Sequence, residues 1–247
     1  MYTKFIILGR ARTGSNFLAS MLRSHGEVIC FGELFNSVHP GTIRWDSPGF
    51  EVTPEALALR ERDPLGFIDT QVFASVPRQV KAVGFKLFYN QAQEENWRSV
   101  WDYIKAQTGW KVIHLRRRNI VRVHLSEKIA DKTQKWSILR DDDAHRDVAV
   151  ELTFSDCLRT FEHLHESIER YQRFFADHDV LDVFYEDLVA NTEVETDRIQ
   201  RFLGVPRRQL RAKTRKQARQ PLTTMISNYD ELKRQCEGTA LAEFLDE

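Results

Sequence analysis

The chain has 247 residues, of which 42% are hydrophobic, so it is long enough to bury a substantial core within one domain. Its 36 basic and 36 acidic residues cancel, which excludes a global field that favours nucleic acid or an anionic membrane. The three cysteines are odd in number and far apart, which excludes a disulfide framework or a Cys-x-x-Cys zinc pair: Cys30, Cys157 and Cys236.

No stretch approaches the roughly 18 apolar residues that a membrane-spanning helix needs. The short apolar run before Gly9 is also too short for a signal peptide. We therefore expect a single domain over residues 1–247, in a cytoplasmic protein with neither a transmembrane segment nor a nucleic-acid partner.

The amino-terminal residues read as a strand, a turn and a helix in succession. Phe5–Leu8 is apolar, the turn runs over Gly9–Asn16, and Phe17–Leu22 has the composition of a helix. This order directs backbone N–H groups and the positive end of a helix toward an anion. The first loop is therefore predicted to bind a phosphate-like ester.

Inside this loop the side chains differ from those of nucleotide triphosphatases. Gly14 follows Gly9 at nearly the spacing of a P-loop, but Ser15 stands where an NTPase has the lysine that reaches the outer phosphates. Cations occur earlier instead, at Arg10 and Arg12. The pattern favours an anionic ligand other than ATP or GTP.

Further along the chain, strand candidates alternate with helical patterns. One helix has its apolar stripe over Trp97–Ile104, and a longer helix covers Leu158–Phe175. This alternation predicts a P-loop-like α/β fold, a three-layer sandwich whose mainly parallel sheet has helices on both faces and binds ligands at its carboxyl edge. The strand candidates are Lys4–Leu8, Glu27–Phe31, Lys81–Phe88, Lys111–Leu115 and Val180–Tyr185.

Proline and glycine punctuate the segment from about residue 35 to 79, which is long for a connection. We predict an irregular insertion or a substrate lid there. Its aromatic residues either stack on a sugar ring or pack a small core of their own: Trp45, Phe50, Phe67 and Phe73.

A second candidate anion site follows the strand Lys111–Leu115, where three arginines, Arg116–Arg118, precede a possible helix N-cap, Asn119. Arg118 and Ser126 are eight residues apart and can close on one phosphate through a guanidinium and a hydroxyl. In P-loop NTPases the equivalent strand often ends in an aspartate that helps to hold Mg²⁺. The arginines here can replace a metal, so no metal is expected; the alternative is a solvated cluster at a helix start.

These motifs together resemble the superfamily of sulfotransferases that use 3′-phosphoadenosine-5′-phosphosulfate (PAPS), and among them the bacterial enzymes acting on trehalose glycolipid or Nod-factor oligosaccharide. The resemblance implies a sulfuryl transfer from PAPS to a hydroxyl of a carbohydrate or glycolipid, with adenosine 3′,5′-bisphosphate as product. Some bacterial relatives form dimers, so a homodimer is possible. The motifs are Arg12–Asn16, the Arg118 and Ser126 pair, Tyr185–Leu188 and Asn228–Leu232.

The resemblance also implies residue roles. Glu33 aligns with the proposed base of the trehalose enzyme, and Arg12 or Lys86 would stabilise the departing nucleotide. His39 is the competing base. The simpler interpretations stay open, with Glu33 in a loop ion pair and Lys86 as an ordinary strand-end lysine. Donor-binding residues would be Arg10, Arg12, Thr13, Gly14, Ser15, Asn16, Arg118 and Ser126. Arg215 and Lys216 are either a nucleotide-binding segment or part of an exposed basic tail.

Two other functions remain possible from the sequence. One is a P-loop kinase, which would need ATP and Mg²⁺. The missing loop lysine argues against this function. A non-catalytic relative would keep the nucleotide pocket and lose transfer. Asn16 also has a second interpretation, as a cap of the first helix.

Overall fold

The computed structural model describes residues 2–38, 43, 45–46, 50–73, 76–134, 148–212 and 220–246. The strands are β1 (Thr3–Gly9), β2 (Val28–Glu33), β3 (Ala82–Phe88), β4 (Lys111–Arg116) and β5 (Val180–Phe184). The longer helices are α1 (Ser15–Arg23), α2 (Pro54–Arg62), α4 (Ser99–Ala106), α5 (Ile120–Thr133), α6 (Phe154–Phe174), α8 (Thr192–Leu203) and α10 (Tyr229–Cys236). Short helices are α3 (Pro64–Phe67), α7 (Tyr185–Ala190), α9 (Leu222–Met225) and a 3₁₀ turn, Ala242–Phe244.

The five strands form one parallel sheet in the order β2-β3-β1-β4-β5. All five strand predictions are confirmed, although Tyr185 begins α7 instead of ending β5. Because every strand runs in the same direction, the candidate binding segments at the ends of β1, β2, β3 and β4 meet at one carboxyl edge.

Helices cover both faces of this sheet. One face packs against α4 and the end of α6, through Trp101 and Tyr171, and the other packs against α1 and α8, through Leu18 and Ile199. The predicted three-layer α/β architecture is confirmed. A third apolar cluster joins α5, α6 and the carboxyl-terminal helices.

Residues 54–62 and 64–72 are helical, which corrects the expectation of an irregular segment there. Thr53 caps α2 and Asp63 caps α3, and a proline follows each cap at the first helical position. Proline lacks the N–H that would be unpaired at that position anyway, so these prolines start helices and do not interrupt a coil. A π-helical turn, Ile68–Val72, completes the segment.

The aromatic residues of this segment pack into the main core. Trp45 and Phe50 lie 5.1 and 4.7 Å from the ring of Phe31, and Phe67 lies 6.1 Å from that of Phe35. Trp45 is 5% exposed, so its ring packs within the core. Over the described residues, no helix has both the length and the apolar character that crossing a bilayer requires.

Candidate active site

The first loop is tightly packed between β1 and α7. Arg12 and Gly14 both have left-handed backbone conformations, with φ of 69° and 88°. A side chain on Gly14 would collide with the ring of Tyr185, so glycine is required there both by conformation and by space. The buried Thr13 hydroxyl donates to the carbonyl of Arg10 at 2.7 Å and fixes the turn.

Gly14 is the N-cap residue of α1, and no side chain caps the helix. The first turn of α1, Ser15–Leu18, also has no acidic residue. Asn16 is directed elsewhere, because its Oδ1 accepts from Nζ of Lys86 at 2.6 Å. The interpretation of Asn16 as a helix cap is therefore wrong, and the helix start retains N–H groups suited to an anion.

A bulge in β2 brings Glu33 beside Lys86. Cys30 pairs with Gly84, yet Glu33 pairs with Lys86, so β2 contains one more residue than β3 over this interval. Regular pairing would place Gly32 opposite Lys86 and turn Glu33 to the other face of the sheet. The extra residue re-aims the carboxylate, a common use of bulges next to active sites.

Glu33, Lys86 and Asn16 form a connected polar group at the carboxyl edge. Lys86 is fully buried, and its ammonium lies 3.1 Å from Oε1 of Glu33, whose side chain is 14% exposed. A buried ammonium is costly unless it is paired. Glu33 is thus ion-paired with the second catalytic candidate, Lys86.

Arg12 reaches from the first loop to α5. Its Nε and Nη2 donate to the Ser126 hydroxyl at 3.0 and 2.9 Å, and its carbonyl accepts from Arg117 at 3.3 Å. Burial, and then the nearby Arg117 guanidinium, lower the pKa of Arg12 to about 10. Arg12 is still a cation at neutral pH, and an anion between the two guanidinium groups would relieve their repulsion.

Arg118 lies before α5, not on its helical face, and the structure does not bring it to Ser126. Its guanidinium donates bidentately to Asp187 at 2.7 and 2.6 Å and stacks 4.1 Å from the ring of Phe184. The Arg118 hydrogen bonds are the main cause of a lowered pKa of Asp187. Asn119 caps α5 as predicted, its Oδ1 accepting from the N–H of Arg122.

Arg10 is also paired, 2.7 Å from Glu127 of α5. The predictions for His39, Arg215 and Lys216 concern positions outside the described residues. His114 is 1% exposed, with Nε2 2.5 Å from the Tyr89 hydroxyl and Nδ1 3.3 Å from Asp182.

That position supports a packing role for His114. His114 is paired in the sheet with Leu8, on the face that packs against α4. Lys86 is paired with Ile7, on the opposite face, which packs against α1. The hydrogen bond from His114 is the largest cause of a lowered pKa of Asp182.

Several site residues had no sequence signal that singled them out. Asn36 and Gln91 donate to Glu33, and Asp187 pairs with Arg118. Asp187 belongs to the Tyr185–Leu188 motif, and its membership of that motif was the sequence signal that could have identified it. The amides of Asn36 and Gln91 become visible only when the strand ends are brought together.

The parallel α/β fold thus carries a buried lysine–carboxylate pair beside its first loop. Residues 4–209 match the model of the sulfotransferase family, and the chain belongs to that family.

Its relatives include Nodulation protein H of Rhizobium meliloti, 28% identical over 231 residues, which covers 93% of this chain and 89% of that protein. Nodulation protein H of Rhizobium tropici is 26% identical over 245 residues, covering 98% of this chain and 92% of that protein.

Among solved structures, a sulfotransferase from Alicyclobacillus acidocaldarius superposes with a TM-score of 0.52. The alignment covers 99% of this chain and 93% of that chain at 16% identity, and it supports the shared fold.

Proposed function

We propose that the protein transfers the sulfuryl group of PAPS to a hydroxyl of a carbohydrate or glycolipid. The observation that carries this proposal is the contact between buried Lys86 and Glu33, next to the anion-binding loop. A base and a cation lie side by side at the carboxyl edge. This arrangement suits a reaction in which the acceptor oxygen loses a proton and the leaving oxygen gains negative charge.

The chemistry assigns complementary roles to these side chains. Glu33 takes the proton of the attacking hydroxyl, whose oxygen bonds to sulfur while the bond from sulfur to the bridging phosphate oxygen breaks. The electron pair stays on the bisphosphate, where Lys86 and Arg12 stabilise the new charge. The N–H groups of Thr13–Asn16 hold the 5′-phosphosulfate.

The 3′-phosphate is assigned to Ser126 and Arg118. Binding would require Arg118 to exchange Asp187 for the phosphate. Both side chains of that pair are more than 40% exposed, and an exposed ion pair is worth at most about 1 kcal/mol, so the exchange is inexpensive. Arg10 and the segment with Arg215 and Lys216 remain predicted donor contacts.

The acceptor class is supported by the resemblance of the motifs to bacterial carbohydrate-type sulfotransferases. The segment 35–79 remains a candidate for acceptor selection, and a homodimer stays a prediction. We expect trehalose and chitooligosaccharides to be the informative first acceptors in a transfer assay.

A kinase is the less favoured candidate. Ser15 stands where a kinase loop needs its lysine, and β4 ends in Arg116, whose Nη2 pairs with Asp182 at 2.8 Å. A thermal shift separates the candidates, since a ligand stabilises the folded state that binds it. Adenosine 3′,5′-bisphosphate should raise the melting temperature more than ATP with Mg²⁺ does; the opposite order would favour a kinase.

Transfer of sulfate from PAPS then separates an enzyme from a non-catalytic relative. Glu33→Gln should lower turnover about 100-fold while the shift with bisphosphate is retained. Glu27→Gln is the matched control, because Glu27 precedes the same strand at its other end, is 15% exposed and is also ion-paired. Unchanged turnover in Glu33→Gln would remove this carboxylate from the mechanism.

A further inference from the structure

The two carboxylate oxygens of Glu33 have different surroundings. Oε1 lies 3.1 Å from the Lys86 ammonium, on the side of the first loop. Oε2 accepts two amide hydrogen bonds, from Nδ2 of Asn36 at 2.7 Å and from Nε2 of Gln91 at 2.9 Å. The carboxylate is therefore held from one side by neutral donors and from the other by a cation.

The orientation of both amides is fixed by the backbone. Oδ1 of Asn36 accepts from the N–H of Val38 at 3.0 Å, and Oε1 of Gln91 accepts from the N–H of Phe88 at 3.1 Å. An amide whose oxygen is bound to a backbone N–H must present its NH₂ group at the other end. Both groups therefore face Glu33 as donors.

Gln91 is itself held rigidly. It is 4% exposed, its N–H donates to the carbonyl of Phe88, and its carbonyl accepts from Nε1 of Trp101 at 2.9 Å. The turn after β3 thus presents one amide at a fixed point beside the end of β2. Such rigid support is how a reacting group is kept in position.

A carboxylate oxygen has room for about two hydrogen bonds in its plane. The two amides fill Oε2, and a proton arriving there would have to displace one of them. We propose that Asn36 and Gln91 are positioning residues that reserve Oε2, so that Oε1 is the atom that takes the proton of the acceptor hydroxyl. This inference rests on the proposed role of Glu33 as the base.

The assignment also couples the two halves of the reaction. The acceptor O–H bond breaks and its proton bonds to Oε1, while the acceptor oxygen bonds to sulfur and the electron pair of the broken S–O bond stays on the bisphosphate. Protonation of Oε1 removes the negative charge that attracts Lys86. The ammonium then interacts more strongly with the leaving oxygen, where charge is growing.

The test compares Gln91→Met and Asn36→Leu, each of which removes one donor to Oε2. We expect kcat to fall about tenfold in each variant, because each loses a hydrogen bond to a charged group. The KM for PAPS and the thermal shift with bisphosphate should not change. Gln93→Met is the control, since that exposed amide donates to Tyr89 and Gln91 carbonyls and not to Glu33.

The pH dependence distinguishes positioning from a merely structural role. Lys86 from β3 and Arg12 from the first loop are charged groups that face Glu33, and both are retained in the variants. Loss of a donor disfavours the ionised carboxylate, so the acid limb of the kcat/KM profile should move to higher pH. Gln93→Met should keep the wild-type profile.

Unchanged kcat and an unchanged acid limb in Asn36→Leu and folded Gln91→Met would overturn the inference. If Gln91→Met fails to fold, Asn36→Leu decides alone, because Asn36 is only half-buried. Failure of the parent proposal looks different: there Glu33→Gln itself keeps its turnover. An inactive Glu33→Gln beside unaffected amide variants would reject only the positioning role.

Discussion

Arg12 and Arg10 are close in sequence but have different partners, and this difference predicts different functions. Arg12 donates to Ser126 of α5, whereas Arg10 pairs with Glu127. Arg12→Met should lower turnover about 100-fold or more, because a positioned cation at developing charge contributes strongly in a site shielded from water. Steady-state kinetics with PAPS measures this loss.

The controls for Arg12 vary its charge and its position separately. Arg12→Lys keeps a cation and loses the two-pronged contact with Ser126, so it should retain part of the turnover and bind bisphosphate more weakly. Arg10→Met should affect turnover less than Arg12→Met. Equal losses in Arg10→Met and Arg12→Met would contradict the assignment of Arg12 to the leaving group.

Gly14 carries a second prediction at the scale of one residue. Gly14→Ala should lower the free energy of unfolding by about 1–3 kcal/mol, because the new side chain meets a left-handed φ of 88° and the ring of Tyr185. Urea denaturation measures the loss. In a Tyr185→Leu background the loss should shrink without vanishing, since the backbone strain remains; full recovery would show that the ring alone matters.

The sequence identified most of these residues, but it did not identify their contacts. Glu33 and Lys86 were each predicted at a strand end, and only the sheet order, with β2 beside β3, shows that they meet. The roles of Asn36 and Gln91 depend on which amide oxygen the backbone engages. Such a role has no periodicity and no motif, so it could not be predicted from the chain alone.

Among the structural elements, the bulge in β2 is the feature that sequence reasoning could least anticipate. The apolar residues of β2 predicted the strand well. Their pattern does not say which residue is the extra one in the bulge. Gly32 is the only hint, because glycine within a strand often marks a bulge. The position of the candidate base therefore depends on a local irregularity, whereas its strand follows from ordinary propensity.

The cap of α5 gives a prediction at the scale of elements. Asn119 accepts from the N–H of Arg122 and donates through Nδ2 to the carbonyl of Phe244, so it joins the helix start to the end of the chain. Asn119→Ala should lower the free energy of unfolding by about 1 kcal/mol through the lost cap alone. Urea denaturation at neutral pH is the measurement.

Asn119→Ser separates the two functions of this amide, because serine keeps the cap and cannot reach as an NH₂ donor. It should recover most of the loss if capping dominates. A serine variant as unstable as the alanine variant would instead assign the stabilisation to the contact with Phe244.

At the scale of the whole molecule, the candidate site residues come from segments far apart in sequence that meet because the sheet is parallel. The first loop follows β1, Glu33 ends β2, Lys86 lies in β3 and Arg117 follows β4. Alternation of strands and helices was enough to predict this edge. The contact between Arg12 and Ser126 was not predictable, since it depends on how α5 leans over the loop.

Global stability should depend on pH through His124, which is 6% exposed between α5 and α6 with Nδ1 3.1 Å from the Thr160 hydroxyl. Burial, and then the Lys128 ammonium, lower the pKa of His124 below its ordinary value of 6.5. Arg10 adds to the lowering, and Glu127 and Asp156 oppose it. The unfolded chain therefore takes up this proton at a higher pH than the native protein does.

It follows that His124 favours the folded state fully above pH 6.5, and that this stability is lost as pH falls through the lower native pKa. The free energy of unfolding should decline toward pH 5 by at most about 1.4 kcal/mol per pH unit from this one proton. His124→Gln should flatten that decline in urea titrations, because glutamine binds no proton. Thr160→Val removes the hydrogen-bond partner but keeps the imidazole, so it should lower stability similarly at every pH. If His124→Gln kept the wild-type slope of the free energy of unfolding against pH, the pH dependence would arise elsewhere.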